Sequence, residues 1–148
     1  MTPENAGGPE VSNRVSNGVV EKIRRALVVN DAALFDEVIR LAANYLNLEE
    51  NGRVHIKDPE GLRGNDLVAL FLIGKWLAKV GGLCNSDVAE IEEVVEVTGL
   101  KRTVAFARLH ELKKEDKVEI PDRGQYRVVA SRVRAILSAL KMRQTKED

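Results

Sequence analysis

Two stretches of this 148-residue chain hold the side chains best suited to chemistry. Lys101, Arg102 and Thr103, followed by Phe106, Ala107, His110 and Lys114, set cations, donors and small residues at helical spacing. Arg123 and Arg127 lie in and just beyond a Pro121-Asp122-Arg123-Gly124 turn. Such sets suit a polyanion. An arginine can grip a guanine edge with two donors, Thr and Lys can hold phosphates, and residues as small as Thr103 and Ala107 let a helix lie deep in a major groove. An arginine at a hairpin tip suits a minor groove, and Arg127 suits a phosphate. Bond-breaking chemistry has less to stand on. The chain has two His, one Cys, no Gly-rich phosphate loop after a strand and no clustered carboxylates on a plausible pocket. No Cys/His set has zinc spacing, so no enzyme, metal or cofactor is expected.

Charge points the same way once it is divided along the chain. The total is zero, 23 basic against 23 acidic residues, which argues weakly against a simple nucleic-acid coat protein. Residues 1–83 are nearly balanced, with ten basic and eleven acidic; 84–99 hold five acidic and no basic; 100–148 hold thirteen basic and seven acidic. A DNA-facing surface would draw on the last segment.

The elements that must position these residues follow from periodicity. Residues 1–18, rich in Gly, Pro, Asn and Ser, read as a disordered tail with no basic-apolar leader pattern. An N-terminal helical extension with a short strand spans 19–62. It holds a helix over about 19–29 (Val20, Ile23, Leu27) and a second from Ala32 to about Leu48 (Leu34, Val38, Leu41, Tyr45). Both apolar stripes suit core packing, with subunit contact as the functional reading. An Asn51-Gly52 turn leads to an alternating strand over 53–57, a candidate third strand for the later hairpin. Asn65 is placed to cap a helix over 66–80 that is apolar almost all round, hence central. Its longest apolar run, Leu67 to Ile73, is seven residues, against roughly eighteen for a membrane span.

Asn85 or Ser86 would cap an acidic helix over 87–97, and Thr98-Gly99 is the turn into the helix over about 101–115. There Ala105, Leu109 and Leu112 share the inward face. Thr103, Ala107, His110 and Lys114 lie opposite, with Arg102 and Phe106 on a flank. Alternating residues 117–120 and 125–129 form a hairpin, and Ser131 would cap a last helix to about Lys141, leaving 144–148 to fray.

Two short helices broken at a glycine and followed by a basic-tipped hairpin form the layout of a winged helix-turn-helix. The run Gly99-Leu100-Lys101-Arg102-Thr103-Val104-Ala105-Phe106-Ala107-Arg108-Leu109-His110-Glu111-Leu112-Lys113-Lys114 resembles the recognition helix of prokaryotic winged helix-turn-helix regulators of the MarR-like and related families. The resemblance covers about residues 66–129 and departs at three points. Lys101 stands at the usual cap, Ala105 replaces a larger core residue, and Asp116 stands where glycine commonly closes the helix. It implies a mainly α fold with a small β-hairpin wing over 63–130, preceded by the helical extension and followed by a C-terminal helix and tail over 131–148. It also implies a sequence-specific, cytoplasmic, homodimeric regulator of transcription bound to double-stranded DNA. The alternative is a winged helix that contacts a protein partner through the acidic helix 87–97 within a nucleic-acid-processing complex.

Overall fold

The computed structural model describes residues 18–27 and 31–147, with side-chain surroundings for 18–27 and 32–144. The chain divides into two units, 1–34 and 35–148. In the first, residues 18–27 are helical and every side chain is exposed. The expected tail over 1–17, and the end of this helix past residue 27, lie outside the described residues, while Gly18 already belongs to the helix.

Helix α1 (Asp31–Ala43) buries Val38, Leu41 and Ala42 on its inward face. It stops five residues short of the expected Leu48. Leu46–Leu48 instead form β1, paired antiparallel with β2 (Val54–Ile56) in the register Leu46–Ile56, Asn47–His55 and Leu48–Val54. A short Leu-x-Leu run fits either period, and the Asn51-Gly52 turn decides it by closing a local hairpin. The strand over 53–57 therefore does not join the later hairpin; its partner is β1. His55 faces outward, as its alternation implied.

Helix α2 (Gly64–Val80) is the centre of the core. Leu67 through Gly74 are buried without a break. Asn65 is not its cap: Arg63 takes that position, with its carbonyl accepting the Leu67 N–H at 3.0 Å, and Asn65 falls inside the first turn. Trp76 is half-buried and stacks on Phe35, ring centroids 5.5 Å apart. The gap left by Gly74 is filled by β2, since a Cβ there would lie 2.7 Å from Val54 Cγ1.

The next elements are β3 (Ala89–Glu90), α3 (Ile91–Thr98), α4 (Arg102–Lys114), β4 (Val118–Asp122) and β5 (Gln125–Val128). The acidic helix thus starts later than the expected residue 87. Ala89 and Glu90 pair with Tyr126 and Gln125, so β3 is the third strand of a sheet ordered β3-β5-β4. Between β4 and β5, Glu119 faces Arg127 and Asp122 faces Gln125, which leaves two residues opposite Tyr126. This bulge holds Pro121, which has no N–H to give a ladder.

A 3-10 turn over Ala130–Arg132 precedes α5 (Val133–Glu147), so Ser131 lies within that turn rather than capping the helix. Val133, Ile136, Leu137 and Leu140 are buried, as their spacing requires. The helix outruns its expected end at Lys141, and residues 144–147, expected to fray, are helical. Arg143 on its last turns bonds Asp66 of α2 at 2.5 Å, and Arg134 bonds Glu37 of α1 at 2.6 Å. The described residues are therefore mainly helical, with one two-stranded and one three-stranded antiparallel sheet. None of their helices is long and apolar enough to cross a membrane.

Candidate nucleic-acid interface

The turn between α3 and α4 fixes how the basic residues emerge. Glu90 is both the last residue of β3 and the N-cap of α3. Its carboxylate accepts the Glu93 backbone N–H, and the Glu93 carboxylate accepts the Glu90 N–H at 3.3 Å. This reciprocal box satisfies two of the donors that a helix start leaves open. At the other end Thr98 is buried. Its hydroxyl donates to the Val94 carbonyl at 2.6 Å and accepts from Leu100 N–H at 3.3 Å. Gly99 then closes the helix at φ +74°, a left-handed conformation that side chains resist.

Lys101, in extended conformation, caps α4 without a side-chain bond. Ala105, Leu109 and Leu112 are buried, and Arg102, Thr103, Ala107, His110 and Lys114 are exposed, the division drawn from spacing. Phe106 is half-buried against the core and lies under the Arg102 guanidinium, 5.5 Å from the ring centroid. That geometry suits a cation–π contact. Arg108 turns inward instead, with its side chain beside Gly64 at the start of α2 and its Nε buried without a partner. The helix closes at Asp116, which takes φ +63° where glycine is usual, and Lys117 N–H bonds back to Leu112 at 2.9 Å.

In the hairpin, Arg123 and Gly124 make the turn, and the Asp122 carboxylate accepts the Arg123 backbone N–H at 2.7 Å while the Arg123 side chain stays exposed. Arg127 is engaged: its Nε donates to Glu119 directly opposite at 2.6 Å. That carboxylate holds the guanidinium proton more tightly than usual.

The acidic helix is largely occupied by cations from other elements. Glu92 accepts from Arg102 Nη1 of α4 at 2.9 Å, Glu93 from Lys75 of α2 at 3.1 Å, and Glu96 lies 3.5 Å from Arg53 before β2. Asp87, 8% exposed, lies 3.9 Å from Lys79. Lys75 and Lys79, four residues apart on a helix otherwise apolar from Leu67 onward, thus face the acidic segment. The hydrogen bond from Arg102 holds the Glu92 carboxyl below the ordinary glutamate range, so it is ionised at neutral pH.

Comparison with protein-family models, with curated proteins and with solved structures returns no match for this chain.

Lys101, Arg102, Thr103, Ala107, His110 and Lys114 therefore share one exposed helical run, and Arg123 stands at the hairpin turn. Arg102 and Arg127 are not bare cations, because each carries a carboxylate partner. Glu92 and Glu119 are the residues that sequence reasoning left out. Glu119 stands opposite Arg127 only because of the bulge at Pro121; an unshifted hairpin would set Ile120 there. Glu92 is equally out of reach of spacing, because its pairing with a residue ten positions away depends on how two helices cross. Among the described residues no group of three or more His, Cys, Asp or Glu could hold a metal ion.

Proposed function

We propose that the chain is a winged helix-turn-helix protein that binds double-stranded DNA sequence-specifically and acts as a homodimeric regulator of transcription. In this reading α4 is the recognition helix, β4 and β5 are the wing, and β3 is the short strand that completes the wing sheet. One observation carries it: α4 turns Lys101, Arg102, Thr103, Ala107, His110 and Lys114 to solvent and fills its inward face with Ala105, Leu109 and Leu112. Thr103 and Ala107 leave room for the floor of a major groove, and the cations at both ends of the helix would lie on the flanking backbones. The carboxylates of α3 would repel a nearby DNA backbone, and that repulsion is reduced because Glu92, Glu93 and Glu96 already face Arg102, Lys75 and Arg53.

Binding to a 30-base-pair duplex, followed across a salt series, tests the proposal. Lys101 and Lys114 on the backbones and Arg123 in a minor groove supply three candidate charge-neutralising contacts per protomer, so log affinity should fall against log salt with a slope of roughly −2 to −3 per protomer. A flat line, or no binding at low salt, would overturn it. A second reading, a winged helix docked on a protein partner, is favoured by the pairing of Arg102 and Arg127 with carboxylates, which lowers the positive field of this face. That reading expects the flat line.

A further inference from the structure

Arg102 is held on two sides in the free protein. Its Nη1 donates to Glu92 at 2.9 Å, and the guanidinium lies over the Phe106 ring at 5.5 Å. Arg102 and Glu92 are both well exposed, with side-chain exposures of 57% and 66%, so this is a surface arrangement and not a core ion pair. An exposed pair of this kind contributes little to stability, on the order of 0 to 1 kcal/mol. Its effect lies elsewhere. A long side chain at the start of a recognition helix ordinarily samples many rotamers and must give them up on binding. Here one donor is anchored by a carboxylate on the preceding helix and the plane is set by an aromatic face. The bond to Glu92 uses Nη1, which leaves the Nε–Nη2 edge of the planar fork to meet a pair of acceptors. A guanine presents such a pair, O6 and N7, in the major groove.

Pairing also changes what kind of contact Arg102 makes. A guanidinium already neutralised by Glu92 gains little from a phosphate, where attraction comes from net charge and released counterions. It keeps its value for a base edge, where directional donors count. We propose that Glu92 is a positioning residue that fixes Arg102 for two-donor reading of a guanine, so that Glu92 sets base preference at one position while lowering attraction to the backbone. The inference rests on the duplex-DNA reading above and adds to it a residue on the acidic helix, which would not itself touch the DNA.

The test uses the full chain and a duplex selected by the wild-type protein from a pool randomised over 20 base pairs. It is compared with copies in which each G·C pair in turn is exchanged for A·T. Wild type should lose roughly tenfold in affinity at one such pair in each half-site. Glu92→Gln should shrink that preference to about twofold or less, while the salt slope steepens by up to about 0.9 as one cation is released. Arg102→Lys, which keeps the charge and loses the fork, should lose the same preference and no other. Because both residues are exposed, neither variant should unfold the chain, and unchanged circular dichroism checks that. If Glu92→Gln keeps the G·C preference, the inference fails, whether or not binding tightens overall; Glu92 would then be only an electrostatic brake. Wild-type binding with no base preference also overturns it, whereas wild type that binds no duplex overturns the DNA reading beneath it.

Discussion

A methyl group built on Gly74 would lie 2.7 Å and 2.8 Å from the two γ carbons of Val54, closer than carbon atoms approach in real packing. Gly74→Ala should therefore cost about 1 to 3 kcal/mol through displacement of β2 from α2, despite the better helix propensity of alanine. Urea denaturation measures this. Val54→Ala in the same background removes the clashing carbons, so the double variant should be more stable than the two single losses added together. Simple additivity would show that the close approach is not the cause. The glycine was visible in the sequence as a gap in an otherwise apolar helix, but what filled it was not, because the spacing within α2 says nothing about which strand crosses it. The same limit applies at the basic residues. Spacing sorted the side chains of α4 into buried and exposed correctly, and the resemblance to winged helix-turn-helix regulators pointed to Asp116 as the residue standing where glycine is usual. It could not see that Arg102 and Arg127 each carry a carboxylate.

At the scale of elements the differences lie mostly at boundaries. Leu46–Leu48 and Ala89–Glu90 fall within expected helices and are strand, in both cases because a partner strand captures a few residues whose own pattern fits either form. Glu90 makes the second case instructive, since it ends a strand and caps a helix at once. Glu90→Ala should weaken the start of α3 by about 1 kcal/mol. Hydrogen exchange should locate the loss, with faster exchange at the first amides of α3 and protection kept in the centre of α2. Glu90→Asp, which retains a capping carboxylate, should stay near wild type. Equal exchange in α2 and α3 after Glu90→Ala would mean that the box is not what holds this helix start. The order of helices, the hairpin and the central place of α2 were all legible, because each rests on periodicity sustained over many residues.

For the whole molecule, the first question is copy number. Residues 18–27 form a helix with Val19, Val20, Ile23 and Leu27 exposed by 52%, 41%, 46% and 74%. A short helix standing alone is marginal in water unless its apolar stripe is covered. In the homodimer proposed above, a second copy of the same helix supplies the cover. Sedimentation equilibrium should then give twice the mass of the chain, and Ile23→Asp with Leu27→Asp should return it to a single mass. Wild type sedimenting as one chain would exclude the dimer. The zero net charge has an explanation at this scale too, since the acidic segment is matched by cations drawn from elsewhere in the chain. That matching has a thermal consequence. Glu92, Glu93 and Glu96 tie α3 to α4, to α2 and to the stretch before β2. The cost of stripping water from charged groups falls on heating while apolar attraction levels off. Only Lys75 is well covered among these six side chains, so the gain on heating is small for each tie, and together they should delay the loosening of the α3–α4 turn only modestly as the molecule warms.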